Sequence, residues 1–379
     1  MRAYVLPDAR LRKLAGRFVR LDIDTEKPRN GAFVEKFPIV AWPTLLAIDP
    51  ATEQVVLRWM GTATAPEIER LALDAERTLR ARNATRADEA LARADRLMGE
   101  RRYPEAAGAY REALASGGKA WSRRGRAAEA LVQALSFAAD PPACAAAAKE
   151  ALPSLPPGAA ARAAAMGLAC ARDLEGEAAR TAALDALEPA AVRLLSAGGL
   201  LADDRSWLFD ELAQTREARG DAAGAKALGR RWLAFLEREA SRGRTPLARA
   251  AFDGQRVSAA LRVGDPARAL PALLASDRDL PPGYVTPSLL GVVYLELGRP
   301  KDALAAAERA LSFAEGPRRV RVLVLRASAQ LALGDRGAAK ATLERALSES
   351  AALPEAVRPK GYTARAEKML AKLGEARAD

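Results

Sequence analysis

The sequence predicts an α+β chain that is mostly α: a short α/β segment over residues 1–82, then a helical array over residues 83–379. Three observations carry this. Strand-length apolar runs closed by turn pairs crowd the first segment and stop past Arg82. Alanine, leucine and arginine dominate while aromatic residues make up only 5%, which favours helix over sheet. Downstream, stretches with one shared order of small and large residues recur at a constant offset.

The first segment is organised around Phe37–Asp49, FPIVAWPTLLAID. Thr44–Ile48 is a continuous apolar run of strand length, ended by Asp49-Pro50. Pro43 cannot donate to a sheet ladder, so it belongs at the strand's entrance. Upstream, Met1–Gly16 reads as a short helical stretch interrupted at Pro7, and Arg17–Asp24 alternates polar and apolar residues as a strand would. Downstream, Gln54–Met60 is a further strand closed by Gly61. Thr64-Ala-Pro-Glu67 is a capping box with Pro66 in the first turn, opening a helix to about Arg82. The predicted order is strand, helix, strand, strand, helix.

That order, with Leu21–Asp24, Phe37–Thr44 and the hairpin ending at Gly61, resembles the C-terminal part of a thioredoxin fold. The resemblance implies that Pro43 is cis and that Trp42, Pro43 and Thr44 form a loop whose backbone pairs with a bound substrate or peptide. It also implies a Cys-x-x-C pair upstream, with two strands and the first helix turns, none of which has a counterpart here. The expectation is a partial domain whose Met1 is an internal methionine of a longer chain; the alternative is a degenerate domain completed by a partner strand.

The remaining chemistry is sparse. Cys144 and Cys170 lie far apart in alanine-rich stretches, read as small buried hydrophobes, with a disulfide permitted in an oxidising compartment but not required. The absence of histidine removes Ser-His-Asp and Cys-His catalysis and His-ligated zinc. Gly117-Gly118-Lys119 is followed by Ala120 and reads as an interhelix turn, not a phosphate loop. Asp203-Asp204 reads as solvated surface or a helix cap. No catalytic residue, metal or cofactor is expected.

Past Arg82, residues 88–116, 284–314 and 320–350 each show two apolar helical faces around a turn. Gly298 with Gly334, Ala303 with Ala339 and Ala310 with Ala346 are all 36 residues apart. With Leu290, Gly291 and Tyr294, and with Tyr103, Ala106, Tyr110 and Ala113 in the first unit, this pattern resembles tetratricopeptide (TPR) repeats, whose period is about 34 residues. Small residues let two helices approach closely, and each helix pair leaves an apolar face that the next one covers. Arg219-Gly220-Asp221 and Gly264-Asp265-Pro266 mark further turns, residues 140–205 read as degenerate helix pairs, and 359–379 as a capping helix. The expected architecture is therefore a partial thioredoxin-like α/β domain followed by an α-helical TPR-like solenoid.

Such solenoids imply protein or peptide partners. The two-asparagine carboxylate clamp known in TPR proteins finds no match, because Asn30 and Asn83 lie outside the strong repeats. The net charge of +11 includes Arg123-Arg124-Gly-Arg126 and Arg318-Arg319-Val-Arg321. Interspersed acids and the lack of stacking aromatics count against nucleic acid, so these clusters read as solvated helix faces. No run reaches the roughly 18 apolar residues of a membrane span, and no secretory leader is visible. Cytoplasm is the default location for the chain as written, with a periplasmic or secreted one if a leader lies upstream. The functional expectation is protein interaction without catalysis. The alternatives are a thiol–disulfide oxidoreductase, should an upstream segment supply Cys-x-x-C, and more weakly a binder of nucleic acid or anionic surfaces.

Overall fold

The computed structural model describes residues 3–39, 41–80 and 84–375, so the features expected at Met1, Asn83 and residues 376–379 lie outside the described residues. In chain order the elements are α1 (Gly31–Lys36), β1 (Thr44–Ile48), β2 (Val55–Met60), α2 (Ala65–Arg80), α3 (Arg86–Gly99), α4 (Tyr103–Gly117), α5 (Arg124–Phe137), α6 (Pro141–Ala151), α7 (Pro157–Arg172), α8 (Glu177–Leu194) and α9 (Ala202–Ala218). There follow α10 (Ala222–Ser241), α11 (Pro246–Ala250), α12 (Asp253–Val263), α13 (Leu270–Asp279), α14 (Val285–Glu296), α15 (Pro300–Leu311), α16 (Gly316–Ala332), α17 (Arg336–Ala351) and α18 (Lys360–Glu375). The chain divides into two compact units, Met1–Val19 with Val40–Trp232, and Arg20–Ile39 with Leu233–Asp379.

In the first unit, β1 and β2 pair antiparallel, Thr44 opposite Met60 and Ala47 opposite Leu57, with an irregularity at Ala47/Ile48. Leu57 and Trp59, two residues apart, share one face and pack with Ala63 onto Leu71 and Ala75 of α2. The capping box forms as the residues dictate: Thr64 donates its backbone N–H to Glu67 at 2.7 Å, and Glu67 returns its own to Thr64 Oγ1 at 3.3 Å. Helix pairs follow. Ala87, Ala90, Leu91, Ala94 and Met98 of α3 are buried together with Ala106, Tyr110 and Ala113 of α4. In α7 nearly every side chain is buried, since the helix is wrapped by α5, α6, α8 and α9. A disulfide joins Cys144 of α6 to Cys170 of α7, with Cα atoms 6.1 Å apart; the two cysteines are buried and paired rather than isolated hydrophobes.

One expected strand is absent. Residues 18–24 are irregular and join no ladder, and Val19 and Leu21 are exposed. Alternation satisfies a strand locally, but a strand persists only where neighbouring backbone accepts its hydrogen bonds. Met1–Gly16 contributes a 3-10 turn, Ala9–Leu14, capped by Asp8.

The second unit repeats the helix-pair logic. Gly298 (φ 67°) and Gly334 (φ 82°) end α14 and α16 in the left-handed region and let α15 and α17 turn back. Ala303, Ala307, Ala310, Ala339 and Ala346 are fully buried, as their small size at helix contacts requires. A Cβ on Gly291 would come within 2.9 Å of Leu325, so α14 and α16 meet there at close range. Val320, Leu323, Val324, Leu343 and Ala366 form a core closed by Met369, Leu370 and Leu373 of α18.

Candidate functional site

The first unit contains a cleft of about 290 Å³ beside the entrance of β1. One wall is the loop Ala41–Pro43 and the end of β2 with Gly61 and Thr62. The other is helical: Gln133 and Phe137 from α5, Arg162 and Met166 from α7, and Asp203, Asp204 and Trp207 from α9. The Trp42–Pro43 peptide is cis. Trp42 is 63% exposed, and Thr44 donates its hydroxyl to the Ala41 carbonyl at 2.6 Å. Gln133 of α5 donates to the carbonyl of Met60 at 3.1 Å, tying the sheet to the helices.

The cleft floor is a buried ionic cluster. Arg162 donates to Glu129 at 2.6 and 3.1 Å, to Asp204 at 3.0 Å and to Glu67 at 3.2 Å, and its guanidinium lies 5.1 Å from the Trp59 ring. Thr62 donates its hydroxyl to Asp204. One arginine faces three carboxylates, so the cluster carries excess negative charge in a dry place. Burial pushes Glu129 and Asp204 above the usual carboxylate range despite the pull of Arg162. Glu67 goes the other way: its desolvation is outweighed by Arg162 and the Thr64 bonds, which hold it low. Asp204 is thus a buried member of the cluster, neither solvated surface nor a helix cap: the cap position of α9 is Leu201, without a side-chain cap bond, and Asp204 lies in the helix's first turn.

Of the residues singled out in the sequence, Trp42 and Pro43 line the cleft and Thr44 braces its loop. The repeat positions serve packing. Tyr110 is buried and donates to Asp95 at 2.8 Å, Tyr103 stacks on Phe137, and Tyr294 lies under Arg299. The reading missed Arg162, Glu129 and Trp207. Arg162 did leave a signal, as the one charge in the alanine-rich run from Pro156 to Ala171.

The arginine clusters are not solvated faces. Arg123 pairs with Asp88 at 3.0 Å, Arg126 with Asp95 at 2.7 Å, and Arg124 donates to the Leu114 carbonyl at 2.9 Å. Arg318 and Arg321 meet carboxylates of residues 24 and 26, and Arg319 meets Glu349. Charge counted along the sequence overstates what a polyanion would meet. Among the described residues, no group of three or more His, Cys, Asp or Glu side chains is placed to hold a metal ion, and no helix is long and apolar enough to cross a membrane.

The class is that of a mostly helical chain built from packed helix pairs with a small two-stranded sheet. Residues 320–352 match the family model described as tetratricopeptide repeat, which places the TPR-like reading on α16 and α17. No curated protein matches the sequence. Solved structures similar to it include the TPR2AB domain of yeast Sti1 in complex with pHSP90, at 15% identity over 76% of this chain and 98% of that one, TM-score 0.29. The assembly chaperone of RpL4, Acl4, is 16% identical over 77% and 99%, TM-score 0.37. The Cut9 and Hcn1 tetramer of APC/C is 14% identical over 82% and 54%, TM-score 0.34. Scores this low define no shared architecture. With only two paired strands among the described residues, a thioredoxin-like domain is not established either.

Proposed function

We propose that this chain is a protein-interaction protein that seats an extended peptide segment at the Trp42–Pro43 cleft. The division into a thioredoxin-like segment (1–82) and a TPR-like segment (83–379) belongs to this reading. The observation that carries it is the exposed Trp42 at the mouth of a cleft floored by buried charge. The edge of β1 supports it. Gly61 donates to the Pro43 carbonyl at 2.8 Å, so Leu45 and Ala47 face β2 with their hydrogen-bonding groups and those of Thr44 and Leu46 point to the opposite edge. No described strand pairs with that edge. An extended peptide adding there would gain main-chain bonds while its side chains met Trp42.

The test is direct. Extended peptides selected against the full chain from a random library are titrated into the parent protein and into Trp42→Ala. The expected result is a loss of affinity of about tenfold or more, as for an aromatic anchor, with unchanged helicity. Selected peptides that bind Trp42→Ala as well as the parent would remove the cleft as the seat.

A further inference from the structure

Residues 20–39 belong to the second unit, yet the part from Arg20 to Lys27 has no regular structure. Its hold on α16 is ionic. Arg318 donates to Glu26 at 2.6 Å and to Asp24 at 2.7 Å, and Arg321 donates to the other oxygen of Glu26 at 2.7 Å. The Arg318 guanidinium in turn lies 5.0 Å from the Tyr284 ring. The segment's backbone also comes close: a Cβ on Gly316 would stand 2.8 Å from the Glu26 carbonyl oxygen. Asn30 bonds the Asp24 carbonyl at 2.7 Å and shapes the turn that presents both acids. Against partial desolvation, the Arg318 bond holds the Asp24 carboxyl below its usual range. Leu21, by contrast, is 70% exposed and Ile23 only partly buried, so no fully buried apolar side chain anchors the stretch from Arg20 to Lys27.

We propose that the Arg318, Arg321 and Tyr284 corner is a recognition site for acidic turn segments of the form acid-x-acid, and that the turn Asp24-Thr25-Glu26 occupies it in cis. The partner is an acidic stretch of another protein that displaces the internal one. The chemistry is specific at three points. Two arginines share one carboxylate with a separate donor to each oxygen, a second carboxylate two residues earlier meets the first arginine, and a glycine leaves room for the carbonyl of the second acid. The carboxylates are side chains of a turn within a continuous chain and not a chain terminus. The site lies in the second unit, so it stands or falls independently of the Trp42 cleft.

The probe is a labelled peptide copying residues 20–31, titrated into the full chain. In the parent the tethered segment competes at an effective concentration of order millimolar, so binding is weak. In Asp24→Asn/Glu26→Gln the site is vacated, and affinity is expected to rise about tenfold or more. Adding Arg318→Gln and Arg321→Gln to that variant is expected to abolish binding. A measurement on the unaltered chain guards against misfolding: excess peptide is expected to speed hydrogen exchange of amides 20–31 and leave α16 and α17 unchanged. No gain in the vacated variant, a gain indifferent to the two arginines, or exchange unaffected by excess peptide would each overturn the proposal and leave the contact a fixed strut.

Discussion

Arg162→Met removes the cation shared by two buried carboxylates, Glu129 and Asp204, and by the largely buried Glu67, while keeping most of the side-chain volume. The four bonds to Glu129, Asp204 and Glu67 lie between 2.6 and 3.2 Å. Removing one partner of a buried ion pair costs about 3–5 kcal/mol, because the charge left behind is uncompensated. The protein has an escape, which is to protonate an orphaned carboxyl. Starting from an ordinary pKa near 4.3, that costs about 3.7 kcal/mol at pH 7 but only about 1 kcal/mol at pH 5. The sign follows from linkage. Glu129 and Asp204 already have raised values in the fold, so the native state holds the extra proton and stability falls as pH rises through the interval above the ordinary value. Without Arg162 that interval extends upward. Glu67, held low, loses its contribution only as pH falls below the ordinary range, outside this window. The expected destabilisation is about 3–4 kcal/mol at pH 7, shrinking to about 1–2 kcal/mol at pH 5. Urea titration followed by tryptophan fluorescence reads the right unit, since Trp42, Trp59, Trp121, Trp207 and Trp232 all belong to the first. A loss below about 1 kcal/mol at pH 7, or one that does not shrink on acidification, would refute this account of the cluster.

Two further perturbations probe the α6–α7 contact. Cys144→Ala opens a cross-link spanning 26 residues and is expected to lower the stability of the first unit by up to about 3.5 kcal/mol on loop entropy, read by the same urea titration. A free-thiol count of two on the native, unreduced chain would show that the cross-link does not form. Gly167→Ala would place a Cβ 2.5 Å from that of Ala148, an atom fixed to its own helix and unable to swing aside. The expected cost is about 1–3 kcal/mol and a lower unfolding midpoint; a neutral result would mean that the two helices separate easily.

What could be read from the sequence was what depends on neighbours a few residues away. β1 was legible because an apolar run, a proline at its entrance and Asp49-Pro50 at its end all bear on the same five residues. The capping box needed only Thr64 and Glu67, and the repeats announced themselves by glycines 36 residues apart. The strand expected at Arg17–Asp24 failed because its pattern was local while its existence depended on a partner. The basic clusters were misread, and Arg162 was missed, for the same reason. Arg162 finds Glu67 and Arg318 finds Asp24 across separations of 95 and 294 residues, and no window along the chain contains both members.

The two ionic clusters also differ in what they leave possible. Around Arg162 the three partners are almost wholly excluded from water and sit on three different helices, α2, α5 and α9, so breaking the set disturbs the packing of these helices against α7 together. Around Arg318 and Arg321 the partners are about a fifth to a third exposed and lie on one irregular stretch, so they can let go without opening a core. The same residue types thus fasten the first unit through buried pairs and the second through partly exposed ones. Burial of the carboxylates, rather than the number of bonds, separates the two, because a desolvated charge has no water to return to when its partner leaves.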